Sequence, residues 1–174
     1  MSTLSVGSLE GLAANSNVIS VPTGHTLNAV DGLQIGGVSA GAYTDHSGSI
    51  TFNNFTLGNG TINYANYARI GNLVHYHGQL TLGSTSSFSG TPFAIETLPV
   101  APAMQQYAAG QFWAGESGAT VRFGLVRVHP SQLLPYAYQE TGSYIRADNV
   151  DGTTPFTWGT DDYFAWSVIY QAAS

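Results

Sequence analysis

His75-Tyr76-His77 is the one arrangement in this 174-residue chain with the spacing of a metal-ligand pair. On a β-strand, residues i and i+2 point to the same side, so both imidazoles would share a face. Three copies around a three-fold axis would gather six imidazoles, an octahedral set able to hold a transition metal. The plainer reading is two polar side chains on a half-exposed strand, and short motifs of this kind often match by chance. That reading is adopted, so no metal and no cofactor is expected. Asp148-Asn149-Val150-Asp151-Gly152 has the oxygen-rich look of a calcium loop. It lacks the regular ligand spacing and terminal Glu of an EF-hand, and reads as a hairpin loop in which Asp, Asn and Gly supply turn conformations. Asp161-Asp162 lies between Trp158 and Tyr163-Phe164. Carboxylates beside exposed aromatics can hold sugars, but large aromatic residues are mostly buried, so these are assigned to the core.

No nucleophile motif is present: the chain has no G-x-S-x-G, no H-E-x-x-H and no phosphate-binding glycine pattern. The few Asp and Glu stand mostly in loop-like contexts, which leaves a glycosidase pair open, but the expectation is a protein without enzymatic activity. With no Cys, disulfides, thiolate chemistry and Cys-based zinc sites are removed. A formal net charge of −6, with four scattered Arg and no Lys, argues against nucleic acid as a partner.

The elements that must position these residues are strands. Thr61 to Gly83 reads as two strands joined by a two-residue Gly71-Asn72 turn, a composition suited to a tight hairpin. Across that turn Tyr67 lies opposite Tyr76, Arg69 opposite Val74, Ile70 opposite Leu73 and Ala68 opposite His75. Both faces are then partly apolar, so either a bulge shifts the register or the second face is covered. A trimer interface would cover it.

Further strands are expected near 50–57, 93–98, 108–114, 119–129, 143–147 and 162–171, with single helical turns at Ala101–Gln106 and Ser131–Leu134. In the last strand Phe164, Trp166, Val168 and Tyr170 alternate with small or polar residues, and Ile169 suggests burial on both sides. Short strands at this spacing define an all-β, antiparallel β-sandwich (jelly-roll-like).

Residues 1–46 hold only Glu10, Asp31 and Asp45 as charges and read as an extended, β-rich N-terminal arm for docking or trimer intertwining; 47–174 form the sandwich. Asn17 to Leu27 gives a short strand, a Pro-Thr-Gly turn and another strand, and Ser39 to Ser49 looks like the linker. Charged residues make up 8% of the chain against about a quarter in typical soluble domains. Much of the surface is therefore expected to face other protein chains or to consist of neutral Ser, Thr, Asn, Gln and Gly. No stretch approaches the about 20 apolar residues of a membrane span. Met1-Ser2-Thr3-Leu4-Ser5 lacks the basic and apolar regions of a signal peptide, so synthesis and assembly in the cytosol are expected.

The hairpin, the run Leu82-Gly83-Ser84-Thr85-Ser86-Ser87-Phe88-Ser89-Gly90 and Ala94 to Val100 together resemble a β-sandwich domain of structural proteins in tailed bacteriophages. The likeness spans roughly residues 58–102, and Asn17 to Leu27 is similar to segments that precede the globular head in phage fibre and decoration proteins. The resemblance implies a virion protein of the capsid decoration (cement) type, a homotrimer on the capsid exterior bound to the major capsid protein, with neither membrane nor nucleic acid as partner. Leu4, Leu9, Leu12, Val18, Ile19, Val21, Leu27, Leu33 and Ile35 would be the capsid-docking or intersubunit residues. The alternative is a short tail or head fibre whose aromatic loops, with Trp113 and Trp158 as contacts, bind a host surface glycan. A trimeric jelly-roll lectin from a cell would explain the sandwich but not the phage-like pattern.

Overall fold

In the computed structural model of the chain, the described residues are 34–35, 38–39, 41–140, 142 and 144–173. The fold is an all-β, antiparallel sandwich. Two short strands, β1 (Gln34–Ile35) and β2 (Val38–Ser39), pair with each other. Then follow β3 (Thr44–Asp45), a 3-10 turn at Ser47–Ser49, β4 (Thr51–Asn53), β5 (Phe55–Thr56), β6 (Thr61–Ile70) and β7 (Leu73–Thr81). The remainder are β8 (Ser87–Phe88), β9 (Ala94–Glu96), β10 (Gln106–Gly115), β11 (Val121–His129), β12 (Gln132–Glu140), β13 (Ile145–Asn149) and β14 (Tyr163–Gln171).

One sheet runs in the order β3-β6-β7-β14-β10-β11-β12-β9-β4, with β13 also on β12, while β5 and β8 form a small ribbon. Laid flat, nine strands at about 4.8 Å spacing would hold the two edges about 38 Å apart. Yet β3 and β4 are linked by residues 46–50 alone, which reach about 20 Å at full extension. The sheet must therefore curl until its ends meet. His46 makes the seam: its N–H donates to the Ala65 carbonyl on β6 at 2.7 Å, and its ring Nε2 donates to the Thr97 carbonyl after β9 at 2.8 Å. Curling lays the β9–β4 end over the central strands and makes the two layers.

Between the layers lies an aromatic core. Trp166, Tyr76, Tyr170, Phe93, Phe112 and Phe164 are all buried, and Phe93 meets Phe164 edge-on with centroids 5.2 Å apart. Each such side chain removes about 150–250 Å² from water. The alternation expected of the last strand is present: Phe164, Trp166, Val168 and Tyr170 are buried from β14. Ile169 differs from expectation. It is 52% exposed, because no described residue packs over the second face of the sheet at its position.

The hairpin register holds in full, with Tyr67 opposite Tyr76, Ala68 opposite His75, Arg69 opposite Val74 and Ile70 opposite Leu73. Gly71 takes the left-handed φ of 59° that its turn requires. A bulge also lies between Ile62 and Tyr64. Two expectations are corrected. The passage read as a linker is part of the sheet from Thr44 onward, since β3 pairs with Tyr67 and Asn66 of β6. Ser131–Leu134 is not a helical turn, for Gln132–Leu134 open β12.

Pro135 fits inside β12 for a simple reason. A strand residue directs its N–H and C=O to the same side, and the Pro135 carbonyl accepts from Val150 N–H, away from β11. Its missing donor faces the junction between β9 and β13, where no ladder bond is lost.

Candidate functional site

Among the described residues, the second face of the sheet has no layer packed over it. Registers align its residues into rows that cross the strands. One row runs Tyr64, Gln79, Ala165, Trp113 and Phe123 over β6, β7, β14, β10 and β11. The next runs Asn66, His77, Ser167, Gln111, Leu125 and Tyr136. Phe123, Ile145, Ile169, Val121 and Tyr138 are exposed here by 41–67%, and Trp113 by 37%. By strand alternation, Arg127 and Glu140 are the charged side chains of β6, β7, β10, β11, β12 and β14 on this face. Arg127 lies over the Tyr107 ring, 4.5 Å from its centroid. The face is therefore apolar and weakly charged, with a polar strip through its middle.

His75 and His77 share this face, as strand spacing requires. Their rings stack at 5.2 Å with 10° between planes. Both His75 nitrogens are engaged: Nδ1 lies 2.8 Å from the Tyr43 hydroxyl and Nε2 lies 3.0 Å from Ser167 Oγ. Tyr43 also packs on His77, and Tyr64 closes its other side. The His77 Nε2 is buried and has no partner among the described residues. Burial holds the His77 imidazole below its ordinary pKa, and neighbouring His75 adds to the effect. Among the described residues no three His, Cys, Asp or Glu side chains converge as metal ligands.

The Ser167–His75–Tyr43 chain has the connectivity of a nucleophile, a base and an orienting group. Tyr43 is a neutral orienting group, and Ser167 sits mid-strand between His77 and Gln111, where backbone N–H groups belong to the ladders.

The other sequence-derived candidates are held in structural roles. Asp148 pairs with Arg146 at 2.7 Å. The Asp151 carboxylate accepts from Thr153 N–H, Thr153 Oγ and Thr154 N–H at 2.8, 3.0 and 2.9 Å, closing a turn. Burial works against the Asp151 charge, but those bonds outweigh it and lower its pKa. Asp162 is buried and accepts from Ser117 N–H at 2.8 Å and Gly159 N–H at 2.6 Å, tying the β10–β11 turn to the loop before β14.

Trp113 and Trp158 do not come together. Trp113 is on the uncovered face, whereas Trp158 packs at the core margin against Phe88, Phe156 and Phe164 and donates from Nε1 to the Asp151 carbonyl at 2.8 Å. Leu4, Leu9, Leu12, Val18, Ile19, Val21, Leu27 and Leu33 lie outside the described residues; Ile35 pairs with Val38 in the β1–β2 ribbon.

Sequence reasoning missed Tyr43 and Ser167 as the partners of His75, and Val121, Phe123 and Ile145 as exposed apolar residues. The available signal was Val121-Arg122-Phe123-Gly124-Leu125-Val126, in which apolar residues fall on both faces of one strand. Among the described residues no helix is long and apolar enough to cross a membrane. No family model, no curated protein and no solved structure matches the chain.

Proposed function

We propose that the protein is a structural component of a tailed-phage virion, a capsid decoration (cement) protein that binds the major capsid protein on the shell exterior as a homotrimer. One observation carries this reading: on one sheet face the described residues expose apolar side chains on either side of a polar strip, with almost no charge, in a chain with no Lys and few Arg. Such a face gains about 25 cal/mol for each Å² of apolar area removed from water, and pays little to desolvate charges. Its function is binding energy. The protein bridges neighbouring capsid subunits, and repetition over the shell multiplies weak contacts through avidity. No reaction and no cofactor enters this role. Residues 1–46 serve as the docking arm.

The fibre alternative drew on two tryptophans as glycan contacts, and these stand on opposite sides of the sheet, with Trp158 committed to packing. The test is the ratio of this protein to the major capsid protein in purified particles, measured by quantitative mass spectrometry. A copy number on the scale of the capsomers is expected. A number matching one tail or one vertex set would overturn the assignment.

A further inference from the structure

The sheet is split at one end. β11 and β12 pair from His129 opposite Gln132 up to Gly124 opposite Ala137, and there the register stops. Beyond that point Val121–Phe123 stay with β10 and 138–140 stay with β13, so the two strands diverge. Between them opens a groove of about 640 Å³ lined by Val121, Phe123, Tyr138, Glu140, Ile145 and Pro155.

Ladder alternation says what its walls present. The Pro135 carbonyl points away from β11, so Tyr136 points toward it, and so in turn do Tyr138 and Glu140. By the same alternation Val121 and Phe123 direct their N–H and C=O groups away from β10 and into the gap. No pairing across the gap joins these groups among the described residues. Two open strand edges thus face each other. A single added strand would complete both, with its side chains alternating between Phe123 and Tyr138 on one face and Arg122 and Gln139 on the other.

We infer that this gap is a slot for an added β-strand and that its occupant is the chain's own segment Asn17-Val18-Ile19-Ser20-Val21. Three features select that segment. It is uncharged and rich in β-branched residues, which suits apolar walls. Pro22 follows it and would end a ladder there, as a strand lying in a short gap requires. Residues 22–33 span about 40 Å when extended, enough to cross the sheet or to reach a second copy. The choice of occupant rests on reading residues 1–46 as a docking arm; the slot itself does not.

The chain has no Cys, so every disulfide in a variant is an engineered one. Phe123→Cys, at a position 62% exposed, is combined in the full chain with a Cys at each of 17, 18, 19, 20 and 21 in turn, and the set is repeated with Tyr138→Cys. Oxidation is read on non-reducing gels and by mass. The expected result is a two-residue period: alternate positions cross-link several-fold more than those between, and the same alternate positions respond to both walls. Cross-links within one chain or between two both support the slot, since they differ only in which copy supplies the strand. No cross-link, uniform cross-linking of all five positions, or cross-links solely between two copies of Phe123→Cys would overturn it. The particle copy number plays no part in this outcome, so the slot and the decoration role can fail separately.

Discussion

At the scale of single residues, two side chains of the His75-Tyr76-His77 run carry opposite burdens. Tyr76 is fully buried, beside Trp166 and His46, and its hydroxyl has no partner among the described residues. Burial, with Tyr170 nearby, pushes its phenol pKa strongly upward, so it stays protonated. An unsatisfied buried hydroxyl costs about 1–3 kcal/mol. Tyr76→Phe is therefore expected to raise stability by about 1 kcal/mol, contrary to the usual loss on changing a core residue, and urea unfolding checks it. His77 predicts a pH effect. Its pKa is lower in the folded protein than its ordinary 6.5, so the unfolded chain binds more protons below that pH. The contribution of His77 is full above 6.5 and declines as pH falls through that value toward the folded pKa. Urea midpoints taken at neutral pH and in mild acid should fall for the native chain and fall less for His77→Gln. Equal declines in both would refute the assignment.

At the scale of elements, close approach decides what the strands tolerate. A Cβ at Gly78 would sit 2.2 Å from the Trp166 ring, which is buried on the neighbouring strand. Gly78→Ala should cost about 1–3 kcal/mol by overpacking. Gly48→Ala, with nothing within 4 Å, is the control and should leave the unfolding midpoint unchanged. The β6–β7 hairpin was legible in the sequence down to each opposed pair, because a two-residue turn fixes register by itself. The β14 alternation was legible for the same kind of local reason. Strand β12 was not, since Pro135 and the preceding leucines mimic the end of a helical turn. What rescues the strand is a change of neighbour from β9 to β13, and no local pattern records that. His75 and His77 were placed correctly on one face, yet their partners Tyr43 and Ser167 come from strands or loops distant in sequence. The gap between β11 and β12 escaped for a related reason: it exists because two well-formed strands part company.

At the scale of the whole molecule, the proposed association is expected to involve the apolar face that the described residues leave open. Phe123 and Ile145 are 62% and 67% exposed, so replacing both with Ser removes little from the monomer's core. Surface changes of this kind usually stay within about 0.5 kcal/mol. If the proposed trimer is held by this face, Phe123→Ser combined with Ile145→Ser is expected to keep the thermal midpoint and to lower the mass seen by light scattering to that of a monomer. An unchanged mass would place the self-association elsewhere.

The strand order carries a consequence for how the protein is made. β14 sits between β7 and β10, yet it leaves the ribosome after both of them. Until residue 171 is free, the β3-β6-β7 piece and the β10-β11-β12 piece each wait with an open edge, and neither can bury its half of the Trp166 cluster. The molecule is thus locked from its middle, and the lock is inserted after the parts it joins.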